Sequence, residues 1–177
     1  MKVGTKSLLF GAHQFIIHPI CVFIAWKKIY KKFPDFKTSI CIIFHDWGYW
    51  GLPEMDGEYG KKHPELGAKM AQTLFGHEWY QLCLYHSRHY ADMDNSKPSK
   101  LCWADKLGVA LEPWWLYIPK AKLTGELKEY RWNARDFLPL DKSDKEWYIW
   151  IQSYFHKLVA EEDATVTDDT SYKGVQK

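Results

Sequence analysis

The sequence predicts an all-α fold, a compact helical bundle with a C-terminal helical extension, and three observations carry that expectation. Apolar residues recur at helical spacing through most of the 177 residues. No pair of alternating segments flanks a hairpin turn signal. Pro34, Gly76, Pro98 and Pro113 fall between the periodic stretches, where helices of ordinary length would stop. The length suits one domain, residues 1–160, and the shift to Glu, Asp, Thr, Ser, Gly and Lys predicts a flexible tail over 161–177.

Taken in order, residues 1–12 form a lead-in segment with a short helix. Pro19 suits the first position of a helix, where its missing N–H is no loss, and Ile20 to Tyr30 is apolar almost all round. Lys27, Lys28, Lys31 and Lys32 gather at its end, where cations favour the helix dipole, and Phe33-Pro34-Asp35 breaks it. Lys37 to Trp47 is a second apolar helix, although Ile40–Phe44 alone also suits a strand. Five residues from Gly48, Gly51 and Pro53 to Gly57 and Gly60 make 48–62 a loop with Glu54, Asp56 and Glu58 exposed on it.

His63-Pro64-Glu65 opens a third helix, which turns Leu66, Gly67 and Met70 inward, continues through Ala71 and Leu74, and closes at Gly76. A fourth helix is expected from Glu78 to Tyr90 and a fifth from Ser99, with Leu101, Cys102, Asp105, Gly108 and Val109 on one face. Pro113 and Pro119 are expected to break the pattern around Trp114–Tyr117. The last helix presents Trp147, Trp150, Ile151, Tyr154 and Leu158 as an apolar stripe.

Composition narrows the function classes. A net charge of +2, from 24 basic and 22 acidic residues, gives no electrostatic footprint for a nucleic-acid scaffold. Ten Trp and an aromatic share of 17% supply bulky core and flat walls for a ring-shaped ligand, with Trp47, Trp50 and Trp114-Trp115 as candidate walls. Cys21, Cys41, Cys83 and Cys102 lack metal or disulfide spacing and read as small buried hydrophobes in a reducing, cytoplasmic setting. Leu8 to Trp26 carries no Lys, Arg, Asp or Glu, but His13, Gln14, His18 and Pro19 within it favour a core helix over a membrane span.

The chemistry concentrates around Ile40–Gly51. An apolar run ends in His45-Asp46, and a buried imidazole beside a carboxylate is costly unless both are paired, a need that a divalent metal meets. Asp105 sits on the apolar stripe of its helix, one turn after Leu101 and one before Val109. His86 lies one turn after Leu82, His63 opens a helix, and His18 precedes the most hydrophobic helix with Val22 one turn on. Five segments thus each direct a His or Asp inward, which is how α-bundles build metal sites. His13 competes with His18 for the first position, and His89 with His86.

The ordered series His18…His45-Asp46…His63…His86…Asp105 resembles the HD-domain superfamily of metal-dependent phosphohydrolases. Locally, His18 with Val22 and Ala25, His45-Asp46-Trp47-Gly48, His63-Pro-Glu-Leu-Gly67-Ala68, Tyr85-His86 with Arg88, and Ala104-Asp105-Lys106-Leu107 resemble its successive motifs over about residues 13–112.

The resemblance implies that His18, His45, Asp46 and Asp105 hold one divalent ion, and that His63 and His86 hold a second with Asp46 bridging. Mn, Fe, Co, Ni or Zn would suit such mixed ligands. It further implies that His45 and Asp46 are catalytic, and that metal-activated hydroxide attacks a small phosphoester or phosphoanhydride, a nucleotide in the first instance. Arg88 and Lys106 are candidate phosphate anchors, with His89 and Tyr49 as further substrate contacts. Many members carry a Lys after the HD-x-G motif. Here Tyr49 stands there, and Tyr49, Glu54, Asp56 and Lys106 are the candidate replacements. Two other readings accompany this one: a di-iron oxygenase that cleaves a small organic substrate, and a non-catalytic module that binds a nucleotide or a protein. The expected partner is a small phosphorylated molecule.

Overall fold

The centre of the molecule is the crossing of two helices, α2 (Ile17–Tyr30) and α7 (Lys100–Leu111), which share more contact than any other pair. Gly108 makes the crossing close. A Cβ built there would come within 3.0 Å of the Val22 side chain and 3.1 Å of its backbone nitrogen. Val22, Ala25, Leu101 and Ala104 fill the crossing and are fully buried. Small residues thus let two backbones approach, and that approach brings the first turn of α2 beside the middle of α7.

The computed structural model describes the backbone of residues 1–171 and the side chains to residue 161. Ten α-helices and no strand occur among the described residues, so the all-α expectation holds. Around the central pair, α3 (Phe36–Phe44), α4 (Pro64–Phe75) and α5 (His77–Leu84) complete the main core, with Ile42, Phe44, Ala68, Ala71 and Cys83 buried in it. A second cluster joins α8 (Trp114–Thr124), α9 (Glu126–Asn133) and α10 (Asp144–Ser171) through Tyr117, Ala121, Leu127, Trp147 and Tyr148. The lead-in helix α1 (Val3–Phe10) sets Leu8 against Tyr49 and Met55 in a third.

Capping explains several boundaries. Asp35 accepts the Thr38 N–H at 2.9 Å and its hydroxyl at 3.1 Å, so the Pro34-Asp35 break is also the start of α3, which is a helix rather than a strand. Ser143 and Glu146 form a reciprocal capping box at the start of α10. Gly76 ends α4 at φ +98. The 48–62 segment is irregular as expected, apart from short 3-10 turns at Trp47–Tyr49 and Gly60–Lys62.

Other expectations give way. His18 does not precede the apolar helix but lies within its first turn, because α2 begins at Ile17. The buried face of α4 is Pro64, Gly67, Ala68 and Ala71, whereas Leu66 and Leu74 are exposed. Close packing of α4 on α3 selects the small residues for the inside. The single helix expected over 78–90 is two, α5 and α6 (Arg88–Met93), parted at Tyr85–Ser87. Ser99 makes the break affordable: its N–H bonds the Tyr85 carbonyl at 2.9 Å and its hydroxyl the Leu82 carbonyl at 2.8 Å. Pro119 lies inside α8 without ending it.

Met55 in the 48–62 loop is buried, and Glu54 is half-buried rather than exposed. Three of the four cysteines are fully buried and all four are free thiols. No helix among the described residues is long and apolar enough to cross a membrane. The tail expected from 161 falls on residues whose side chains lie outside the described ones from 162 onward, while the α10 backbone stays helical to Ser171.

Candidate metal centre

Each ligand candidate arrives from a separate element. His18 comes from the first turn of α2, Asp105 from mid-α7, and His45-Asp46 from the end of α3. His63 immediately precedes α4, and His86 sits in the α5–α6 break. The glycine two residues after Asp46 matters for the segment that carries His63. A Cβ on Gly48 would lie 1.9 Å from the His63 carbonyl oxygen, so only glycine lets the His63 backbone lie against the turn after α3.

The six side chains converge. His18 Nε2 lies 2.9 Å from Asp105 Oδ1 and 3.2 Å from Asp46 Oδ2. His45 Nε2 lies 3.1 Å from Asp46 Oδ2 and 3.6 Å from Asp105 Oδ1. On the other side, His63 Nε2 and His86 Nε2 are each 3.6 Å from Asp46 Oδ1 and 3.0 Å from each other. The two oxygens of Asp46 therefore face two different groups. His18, His45, Asp46 and Asp105 form one set of donors that can hold a metal ion, and Asp46, His63 and His86 form the other.

Three features test whether this set suits a cation. The backbone carbonyls of Ile42 and Gly60 accept hydrogen bonds from Nδ1 of His45 (2.7 Å) and His63 (2.8 Å), and Cys83 does the same for His86. Each of these imidazoles then turns an unprotonated Nε2 inward in its neutral form. Next, His18 Nε2, His45 Nε2, Asp46 Oδ2 and Asp105 Oδ1 are sealed from solvent and face only one another. Polar atoms so placed are destabilising unless a shared partner satisfies them. Finally, two Nε2 lone pairs 3.0 Å apart repel unless positive charge lies near both. The residues fit divalent ions bound by mixed nitrogen and oxygen donors.

Electrostatics agree. Burial by itself would lower the His18 imidazole, but Asp105 and Asp46 outweigh it and push it up to about 9. The same contest raises His45. Burial works to raise Asp46 and Asp105, yet the neighbouring imidazoles hold both well below the usual carboxylate range. His63 goes the other way: burial, then repulsion from His86, lowers it to about 3. The centre thus keeps its carboxylates ionised and His63 neutral, as metal ligands must be, while the protons held on His18 and His45 would have to leave when a cation binds.

Comparison of the chain with protein-family models, with curated proteins and with solved structures finds no match.

A cavity of about 550 Å³ opens over the centre, within the range of small-molecule sites. Asp46, Asp105, His63 and His86 form its floor, and Lys61, Arg88 and Lys106 also line it. Arg88 and Lys106, the candidate phosphate anchors, are therefore placed on the cavity. His89 is not: it is exposed, packs edge-on to Tyr90, and is absent from the lining. The break before α6 gives the inward position to His86 and turns His89 out. His18 likewise belongs to the first donor group, and His13 does not but lines the cavity instead. Tyr49 is buried and stacks flat on His63, ring centres 4.1 Å apart. Of the other candidates for the missing Lys, Asp56 and Lys106 line the cavity, whereas Glu54 accepts the Tyr59 N–H at 2.9 Å.

The aromatic wall comes from the C-terminal half. Trp47, Trp50, Trp114 and Trp115 are all exposed and line nothing here, while Tyr130, Trp147, Trp150, Tyr154 and Phe155 of α9 and α10 form the wall. Glu129 of α9 ties the 48–62 loop to that side by accepting the N–H groups of Met55 (3.0 Å) and Asp56 (2.8 Å). The sequence reading also passes over Glu126, which is fully buried beside His13. An acidic residue at a helix start reads as a solvated favourable charge, and only its partners from α1 and the following turn show otherwise.

Proposed function

We propose that the chain is a metal-dependent phosphohydrolase of the HD-domain kind, acting on a small phosphoester or phosphoanhydride, in the first instance a nucleotide. One observation carries the reading. Two donor groups share the carboxylate of Asp46 at the floor of a cavity whose lining includes three cations, Lys61, Arg88 and Lys106. Divalent ions at such paired sites polarise phosphoryl oxygens and make water nucleophilic at neutral pH.

The chain's own residues supply the rest. Asp46 would belong to both ion positions, and His18, His45 and Asp105 would complete the first while His63 and His86 would complete the second. Arg88 and Lys106 meet a phosphate from the cavity side, where no carboxylate pairs with them among the described residues. Trp150, Tyr154 and Phe155 give a base or other flat group a surface to stack on and shield the reacting centre from bulk water. Four free thiols are consistent with action in a reducing compartment.

The test is a panel of nucleotides and simple phosphoesters assayed with Mn²⁺, Co²⁺, Ni²⁺, Zn²⁺ and Fe²⁺ separately. Phosphate release with at least one metal, abolished in Asp46→Ala together with metal binding, is the expected result. Two iron atoms per chain with oxygen consumption and no phosphate release would establish the oxygenase reading in its place. No phosphate release and no metal uptake by the wild type, with Asp46→Ala unchanged from it, would leave only a binding role.

A further inference from the structure

His13 lines the cavity but belongs to neither donor group. Its ring packs between His18 (centroids 5.3 Å) and Tyr49 (4.9 Å), and its Nδ1 faces away from the cavity toward a buried carboxylate. That carboxylate, Glu126, accepts from Ser7 Oγ at 2.6 Å, from the Ala12 N–H at 2.7 Å and from Thr124 Oγ1 at 2.7 Å. The interior position is tailored to it, since a Cβ on Gly11 would lie 2.1 Å from Glu126 Oε1. Burial would raise the Glu126 carboxyl, but His13 beside it and hydrogen bonds from Ser7 and Thr124 prevail and hold it below its ordinary value. It is ionised and can only accept.

The hydrogen atoms of this network are then determined by counting. Ser7 has one hydroxyl hydrogen, and the short bond to Glu126 takes it. Its oxygen must accept from its other two neighbours, the His13 backbone N–H at 3.3 Å and His13 Nδ1 at 3.1 Å. Nδ1 therefore carries the hydrogen, and in neutral His13 the lone pair is on Nε2. That nitrogen has no hydrogen-bond partner among the described residues and is not among the atoms sealed from solvent, so it is open on the cavity side.

We propose that His13 is a ligand-binding residue of the cavity, whose Nε2 accepts a hydrogen bond from an O–H group brought to the centre, and that Ser7 and Glu126 are positioning residues that orient it. The proposal rests on the phosphohydrolase reading for the ligand class alone: an O–H borne by the phosphorylated substrate or by water at its phosphoryl group.

Histidine ¹⁵N spectra of the full chain, recorded above the ordinary imidazole range, test the orientation. Wild type shows His13 protonated at Nδ1. Glu126→Gln, whose amide donates to Ser7 and turns that hydroxyl toward Nδ1, moves the hydrogen to Nε2. A wild-type hydrogen on Nε2 overturns the proposal, and that measurement needs no variant to fold.

Inorganic phosphate added to the Zn²⁺-loaded chain tests the contact. A saturable shift of the His13 Nε2 resonance supports it, and an unmoved resonance refutes it whether or not any phosphoester is turned over. A hydrolytic arm separates substrate contact from structural support. Gln places an amide oxygen near the former Nε2, and Asn places an amide N–H near the former Nδ1. His13→Asn loses about tenfold in kcat/KM and His13→Gln retains most of it, at equal metal content. Retention by Asn with loss in Gln would make His13 a support for Glu126 and nothing more. Absence of hydrolysis in wild type with the Nε2 shift intact would sink the hydrolase reading and leave the ligand contact standing.

Discussion

At the residue scale, Gly48 decides how closely the two halves of the centre approach. Adding a Cβ would place carbon 1.9 Å from the His63 carbonyl oxygen, a backbone atom that cannot turn aside. Gly48→Ala is expected to shift His63 away from Asp46 and weaken the second ion by about tenfold or more, while the group from α2, α3 and α7 keeps its affinity. Calorimetric metal titration reads both sites, and unchanged affinity at the second would contradict this account. The ligands themselves illustrate a related economy. His45 and His63 are each oriented by a carbonyl three residues earlier in their own chain, so local backbone sets the inward nitrogen before any distant segment arrives.

At the element scale, the α5–α6 break places His86, and nothing within 78–90 announces it. The open carbonyls at the end of α5 are met by Ser99, seventeen positions after Leu82. Ser99→Ala removes the hydroxyl bond to Leu82 and is expected to cost about 1 kcal/mol in denaturant unfolding. It should also lower affinity for the ion shared by His63 and His86, because the turn bearing His86 loses an anchor. A substitution that left both quantities untouched would show that Ser99 has no part in the break. Helix α7 carries the reverse lesson. Its N-cap, its small-residue face and Asp105 follow one helical period, and that period was readable from residues 99–109.

Over the whole molecule, ionisation makes the metal-free chain a sensitive one. His18 is raised from 6.5 to about 9, so its contribution is complete below 6.5 and is lost as pH rises through 9. His63 is lowered from 6.5 to about 3, so the unfolded chain takes up a proton that the folded chain refuses, and stability falls as pH drops below 6.5. Asp46 and Asp105, held low, add to the loss on the acid side only below the ordinary carboxylate range. The chelated protein is therefore expected to be most stable near pH 6.5 and to weaken on both sides. With ions bound, cations take over from the proton on His18 and the alkaline loss should flatten. Thermal melts across pH, with and without chelator, check this; identical profiles would mean that no ion occupies the centre.

The sequence by itself determined the helical class and the inward placing of His45-Asp46 and Asp105, because both follow from local periodicity. An inward-facing His or Asp on an apolar stripe leaves its mark within one turn, as Asp105 does between Leu101 and Val109. Tertiary structure alone decided which of two histidines turns inward, since His86 over His89 depends on a break stabilised by Ser99. It alone chose the aromatic wall from α9 and α10 over the tryptophans that follow His45-Asp46 and Pro113. It alone buried Glu126 behind His13, with a hydroxyl 119 positions away as its partner. The physical reason is the same in each case: a helical face is set by neighbours three or four residues away, whereas a cavity and its hydrogen-bonded supports exist only once distant segments have packed.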